Sequence, residues 1–393
     1  MIYLTGATFY RERETKKKLI NFIQQAPRLS FGAECIKFEK AFAKWQGRKN
    51  AIFLNSGSSA NLALIQGLLN GGWLKKGDKV GFSAITWSTN VMPLIELGLI
   101  PVPMDIALET LNTPSAEVER IIKKHGVKAV FITNLLGFSH DLTRVKRICK
   151  KNRVLLLEDN CEALGSVENG TKLGNFSIAS TFSFFVGHHL STIEGGMICT
   201  DNEKLAEEIR MVRSHGWDRQ SLPKTQKRLR QQYNKDPFYD LYTFYDLGYN
   251  LRPAEINGFI GNTVLLYANE IVARREKCFQ QFAKAVASRK SSYLPLKSSH
   301  MDILSAFALP VICKTPDVKK RLIAACKGLI EIRPIVGGNM ALQPFFKKYF
   351  PNSYKKYPAP NAERVHRLGL YLPIHPDMTE ADKKTIVQIL ASI

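Results

Sequence analysis

Short apolar runs alternate with helical patterns from about residue 50 to about residue 215. Residues 51–55, 79–83, 101–105, 129–133, 154–158, 181–185 and 197–200 read as strands. Between several of them the apolar positions recur at helical spacing, as in 60–69, where Leu62, Ile65 and Leu69 share a face. The stretches 117–125, 142–151 and 203–215 read the same way. Near-continuous apolar strands separated by helices predict a mostly parallel sheet covered on both faces. Pro253 opens a connecting helix over 254–266, since proline suits the first helical turn. From about residue 290 the pattern becomes α+β: strands 307–312, 329–336 and 370–374, helices 316–327 and 379–390. The expectation is an α/β protein with a large sheet domain and an N-terminal arm over 1–255. A connecting helix and a smaller C-terminal α+β domain follow over 256–393.

A chain of 393 residues, 45% hydrophobic, can bury a substantial core. Its 56 Lys and Arg against 34 Asp and Glu leave a formal charge of +22. That balance suits anionic partners such as nucleotides, or serves solubility alone. The basic residues are spread out, without a basic tail. The densest run, Lys224 to Lys235 with Lys227, Arg228 and Arg230, favours a local anion-binding loop over a nucleic-acid arm. The seven cysteines stand singly, with no C-x-x-C pair, which argues against a disulfide framework and a zinc site. No apolar run reads as a membrane span and the N-terminus lacks a signal pattern. A reducing cytoplasm is the expected location.

Four stretches carry candidate chemistry. Asn55-Ser56-Gly57-Ser58-Ser59-Ala60-Asn61 follows a strand and opens a helix. Free N–H groups and the helix dipole suit a phosphate there, as Gly57 lets the backbone approach and Ser58 adds a hydroxyl; a plain helix cap has the same appearance. Glu158-Asp159-Asn160-Cys161-Glu162 ends a buried strand. Parallel strands point their carboxyl ends at a ligand crevice, so a carboxylate here could hold a pyridine nitrogen, a metal or a helix cap. Trp87, past another strand end, could stack on a heteroaromatic ring or fill the core. Finally, Thr181-Phe-Ser183-Phe-Phe-Val-Gly-His188-His189-Leu-Ser-Thr-Ile-Glu194-Gly195-Gly196 is an apolar strand running into a polar, glycine-bounded turn. Adjacent side chains on an extended segment face opposite ways, so one of the two histidines should reach a site. Further metal ligands are lacking nearby, and no metal is expected.

The order of these motifs, followed by Tyr249-Asn250-Leu251-Arg252-Pro253 and by Leu372-Pro373-Ile374-His375-Pro376, resembles the DegT/DnrJ/EryC1/StrS family of nucleotide-sugar aminotransferases. The likeness runs from about residue 30 to about residue 390. It implies the fold type I architecture of pyridoxal phosphate (PLP) enzymes and a homodimer with shared active sites. In that family a lysine six residues before Glu-Gly-Gly or Asp-Gly-Gly holds the cofactor covalently; here that position is His188. An imidazole cannot replace the lysine as a covalent anchor, but it can carry a proton near neutral pH.

The histidine, with Asn134-Leu135-Leu136-Gly137 and Ser214-His215-Gly216-Trp217, is similar to the family's sugar 3-dehydratase branch. What the resemblance implies is a lyase that uses PLP and its amino form, pyridoxamine phosphate (PMP). Its substrate would be a nucleotide-linked 4-keto-6-deoxyhexose, with GDP-4-keto-6-deoxy-D-mannose the first choice. Glutamate would be the amino donor. By the same resemblance Gly57, Ser58 and Ser183 bind the cofactor phosphate, with Asn250 from the neighbouring subunit. Trp87 stacks on the ring, Asp159 holds its nitrogen, Glu162 sits by its oxygen, and His188 is the acid/base. His215, Arg219 and Arg333 meet the substrate. A sister enzyme uses an iron–sulfur cluster held by closely spaced cysteines; the spacing here implies no such cluster. The 372–376 stretch is closer to the general aminotransferase pattern than to the dehydratase. The competing expectation is a catalytically dead scaffold that binds a ligand, motivated by the missing lysine and the +22 charge.

Overall fold

The computed structural model describes residues 1–233, 236–289 and 291–393. Seven strands form the main sheet, in the spatial order Asn50–Leu54, Gly196–Thr200, Ala179–Ser183, Leu155–Asp159, Ala129–Thr133, Lys79–Ser83, Ile100–Met104. Gly196–Thr200 runs antiparallel to both neighbours and the rest of the sheet is parallel. Parallel strands need helical crossovers, which cover both faces and explain why these strands are apolar throughout. Helices Gly57–Asn70 and Glu203–Arg213 pack on one face, and Ser115–His125 and Leu142–Asn152 on the other. Side-chain caps fix their starts: Ser56 Oγ accepts from Ser59 N at 3.0 Å, and Asn202 Oδ1 from Leu205 N at 3.0 Å.

A second core surrounds the antiparallel pair Ala308–Ile312 and Gly369–Pro373, with helices Pro316–Cys326 and Glu380–Ser392. Helix Ala268–Ser288 joins the two cores. Its Ile271 and Val272 pack with the large-sheet residues, whereas Cys278, Phe279 and Phe282 pack with the C-terminal ones. This helix and the early helices Glu12–Gln25 and Ala33–Gln46 lack a marked apolar stripe in isolation, and their formation follows from tertiary packing.

Several sequence expectations require correction. The strand expected at 181–185 is Ala179–Ser183, because Ala179 and Ser180 already pair with Thr200 and Cys199. The strand expected at 329–336 does not form; single bridges at Ile330 and Arg333 replace it. Ile330 binds the N-terminal arm through Ile2, while Arg333 pairs with Tyr371, so this stretch serves two partners and has no continuous ladder. Helix Glu203–Arg213 stops before His215, whose φ of 60° is left-handed. The basic run at 224–230 is a helix rather than a loop, Pro223–Gln232. Lys224 pairs with Glu203 and Arg230 with Asp218, so part of its charge is spent internally; Lys235 lies outside the described residues. No helix among the described residues is long and apolar enough to cross a membrane.

Candidate active site

The carboxyl ends of the parallel strands open onto a cavity of about 530 Å³. Gly57, Ser58, Trp87, Asp159, Glu162, Ser183, His188 and Arg333 all line it, although they are scattered over some 280 positions of the sequence. Crevices at strand carboxyl ends are the usual ligand sites of such sheets.

Asp159 ends the Leu155–Asp159 strand and is 4% exposed. Its Oδ2 accepts from Asn61 Nδ2 at 3.0 Å and Asn90 Nδ2 at 2.7 Å, and its Oδ1 from Cys161 N at 2.8 Å. These donors fix the carboxylate and favour its ionised form. Strand alternation turns the neighbouring Glu158 the other way. There it accepts from Asn134 Nδ2, Gly174 N and Phe176 N, as a structural tie across the sheet edge. The two adjacent carboxylates, ambiguous in sequence, thus have separate jobs.

Gly57 begins its helix against the end of the neighbouring Ala179–Ser183 strand. A Cβ at Gly57 would lie 2.6 Å from Ser183 Cβ and 3.0 Å from Ser183 Oγ. The helix start, the Ser58 position and the Ser183 hydroxyl therefore converge where only glycine fits. Trp87, 55% exposed, lines the same cavity, which rules out the core reading for it.

Glu162 is half-buried, and its Oε2 accepts from Leu136 N at 2.9 Å. Leu136 takes a left-handed φ of 54° to aim that N–H, a conformation unusual for a branched residue. Burial pushes the Glu162 carboxyl up to about 7, opposed by the Leu136 bond and reinforced by the nearby Asp159. The phenol of Tyr371, also lining the cavity, is pushed up to about 12, mainly by burial and then by Glu162.

His188 is not on an extended segment. Its N–H bonds back to Phe185 O at 3.0 Å, in a turn that starts after the strand. The expected divergence of the two histidines holds, but the turn produces it. His188 Nδ1 lies 2.6 Å from Cys161 O. A carbonyl only accepts, so Nδ1 carries the proton and Nε2 the lone pair. Burial lowers the pKa of His188, and the buried Arg275 lowers it further, while the Cys161 carbonyl and Asp159 raise it. His189 faces away, its Nε2 donating to Ser305 O at 2.9 Å. Phe307 packs between them, 5.1 Å from the His188 ring and 6.3 Å from that of His189.

Asn250, His215 and Arg219 are not among the residues lining this cavity. Asn250 is exposed and accepts from Arg252 Nε at 3.0 Å. His215 packs edge-on to Trp217, and the Arg219 guanidinium lies 4.0 Å from that indole ring. Sequence reasoning passed over Asn61, Asn90, Leu136, Phe307 and Tyr371. Asn61 sat inside the glycine–serine motif and could have been found there; the other four carried no local signal.

Residues 10–391 match the DegT/DnrJ/EryC1/StrS aminotransferase family. The chain belongs to that family. Among its members, GDP-4-keto-6-deoxy-D-mannose 3-dehydratase from Escherichia coli O55:H7 is 32% identical over 363 residues, 91% of this chain and 92% of the relative. The enzyme of the same name from Yersinia pseudotuberculosis is also 32% identical, over 93% and 94% of the two chains. A crystal structure of a mutant GDP-4-keto-6-deoxymannose-3-dehydratase with bound GDP-perosamine superposes with a TM-score of 0.89 at 28% identity, covering 99% of this chain and all of that one. A structure of a 3-dehydratase of that name with a trapped PLP–glutamate adduct has a TM-score of 0.87 at 28% identity, over 99% of this chain and all of the other.

Proposed function

We propose that this family member is a PLP/PMP-dependent 3-dehydratase of a nucleotide-linked 4-keto-6-deoxyhexose, with GDP-4-keto-6-deoxy-D-mannose as substrate. Its product would enter dideoxysugar synthesis for surface polysaccharide such as O-antigen. The observation that carries this reading is His188: it lies in one cavity with Gly57, Trp87, Asp159 and Ser183, and that cavity has no lysine among its described lining residues.

The donor set fits the cofactor. The niche at Gly57, closed to any Cβ, suits a phosphate held by the helix start, Ser58 and Ser183. The fixed Asp159 carboxylate suits a protonated pyridine nitrogen, and Trp87 offers a flat face. When bound, PMP supplies an amine for the sugar ketone and a ring that accepts electrons. Glu162, held by Leu136, stands ready beside the ring oxygen. His188, neutral near pH 7 because burial depresses its pKa, takes a proton at Nε2. The same imidazole then delivers a proton to the departing C3 hydroxyl. Glutamate restores the amino form, in keeping with the PLP–glutamate adduct trapped in a related structure.

The same proposal makes the active unit a homodimer. Trp87, Phe185 and Ile193 leave apolar surface exposed around the cavity, and a second copy is a natural cover for it. Asn250 then serves the partner's phosphate site, and His215 and Arg219 meet the sugar or nucleotide there; Arg333 does so from within. The cytoplasm is the proposed location, where the seven free cysteines remain reduced. The proposed domain division is 1–255 and 256–393, supported by the separate C-terminal core.

Mass spectrometry of products from GDP-, CDP- and dTDP-4-keto-6-deoxy sugars, with PMP and glutamate, tests the function. Loss of water from the GDP sugar is expected. No product from any of the three would leave the ligand-binding scaffold as the better reading.

A further inference from the structure

Behind the histidine turn lies a second, narrow cleft of about 30 Å³. A single water needs roughly 10–15 Å³ of such space. Gly187 and His188 border both this cleft and the main cavity. The remaining walls come from the N-terminal arm, through Gly6 and Thr8, and from His189, Arg275, His375 and Asp377. The arm also separates the two spaces. Thr5 lines the front and Gly6 the rear, and Gly187 (φ 98°) has no room for a Cβ against Thr5. Gly6 and Asp377 are exposed, so the cleft leads from the surface to the back of His188.

Its polar atoms are unsatisfied. His189, 4% exposed, donates through Nε2 to Ser305 O, so its Nδ1 is an acceptor; it has no partner among the described residues. Arg275, 2% exposed, spends Nη1 on the carbonyls of Phe307 and Ile374 at 2.9 and 2.6 Å, yet its Nε has no acceptor among them. His375 Nδ1 is likewise unpaired. Buried polar atoms left this way cost free energy unless water fills the gap. One water can donate to His189 Nδ1 while accepting from Arg275 Nε–H, and a donor, an acceptor and a third polar atom around one space are the usual setting of an ordered water.

We propose that this cleft holds ordered water, positioned by His189, Arg275 and His375, which exchanges the His188 imidazole proton with bulk solvent behind the bound substrate. A proton passes from the ring to cleft water and another returns, with no net change. The inference rests on His188 being the proton carrier. It explains how that group can re-equilibrate while cofactor and sugar fill the front.

The test uses full-length protein labelled with 15N-histidine and loaded with pyridoxal phosphate, the His188 signal being assigned by its loss in H188N. Solvent exchange of the His188 ring proton is compared between wild type and Gly6→Val. A Cβ at Gly6 would lie 2.8 Å from Asp377 Oδ2 and 2.9 Å from His375 Nδ1, both ends of side chains, so the variant plugs the mouth without disturbing backbone. A severalfold slower exchange in Gly6→Val is expected, and an unchanged rate overturns the proposal. A high-resolution crystal structure of the wild type gives a second check that needs no variant. Ordered water bridging His189 Nδ1 and Arg275 Nε is expected, and a dry cleft overturns it. Neither measurement depends on turnover, so failure of the dehydratase reading would show separately, in the product panel.

Discussion

The Nδ1 atom of His188 lies 2.6 Å from the carbonyl oxygen of Cys161, two residues beyond the carboxylate proposed to hold the cofactor nitrogen. One short loop therefore sets both the electron sink and the tautomer of the proton carrier. His188→Asn can keep the bond to Cys161 O through its amide while losing the basic nitrogen. The expected result is retained PMP and sugar binding with turnover reduced by about 10²–10⁴-fold. His189→Asn should cost far less, since that ring faces Ser305. Steady-state kinetics of the two variants decide, and a larger loss at His189 would reverse the assignment.

Asp159 accepts from two amide side chains and a backbone N–H. Asp159→Asn would turn one NH2 group toward those donors and leave the pyridine nitrogen without its carboxylate. Turnover should fall on the order of a hundredfold or more. Near-normal turnover in this variant would remove Asp159 from the proposed role.

The Gly57 niche predicts a binding defect. Gly57→Ala places a methyl group 2.6 Å from Ser183 Cβ, so either Ser183 or the helix start must shift. Affinity for PLP, measured by absorbance titration, should drop at least tenfold, on the order of 1.4 kcal/mol, while the circular dichroism spectrum stays that of wild type. Unaltered affinity would place the phosphate elsewhere.

Glu162 predicts a pH dependence of stability in the cofactor-free protein. Its folded pKa, about 7, lies above the ordinary carboxylate value. Between those two values the folded state binds the extra proton, so stability falls as pH rises through that window. Glu162→Gln removes the ionisation and can keep the bond from Leu136 N. Its melting temperature should exceed that of wild type at about pH 8, and the gain should vanish by about pH 4. A constant offset at every pH would mean that packing, and not charge, sets the difference.

Sharing of sites between subunits predicts complementation. Asn250→Ala and His188→Ala proteins should each be inactive. In a mixed dimer one site carries both lesions and the other carries neither. Random exchange from an equal mixture should restore up to about a quarter of wild-type activity. Proven subunit exchange without recovered activity would place Asn250 outside the partner's site.

The sequence by itself determined the sheet and the identity of the chemistry-bearing residues. Strands 79–83 and 129–133 were legible to the residue, because parallel strands buried on both faces must be apolar throughout. Gly57, Trp87, Asp159 and His188 stood out because strand ends and helix starts, where ligands bind, carry local turn signals. Tertiary structure alone decided which carboxylate faces the cavity, Glu158 or Asp159, since that depends on strand register. It alone decided the tautomer of His188, which the Cys161 carbonyl sets from 27 positions away in the sequence. Leu136, Phe307 and Tyr371 reach the site through long-range packing that leaves no local pattern. The failure of 329–336 to form a strand has the same cause: a β-strand exists only with its partners, and here Ile2 and Tyr371 divide the segment between them.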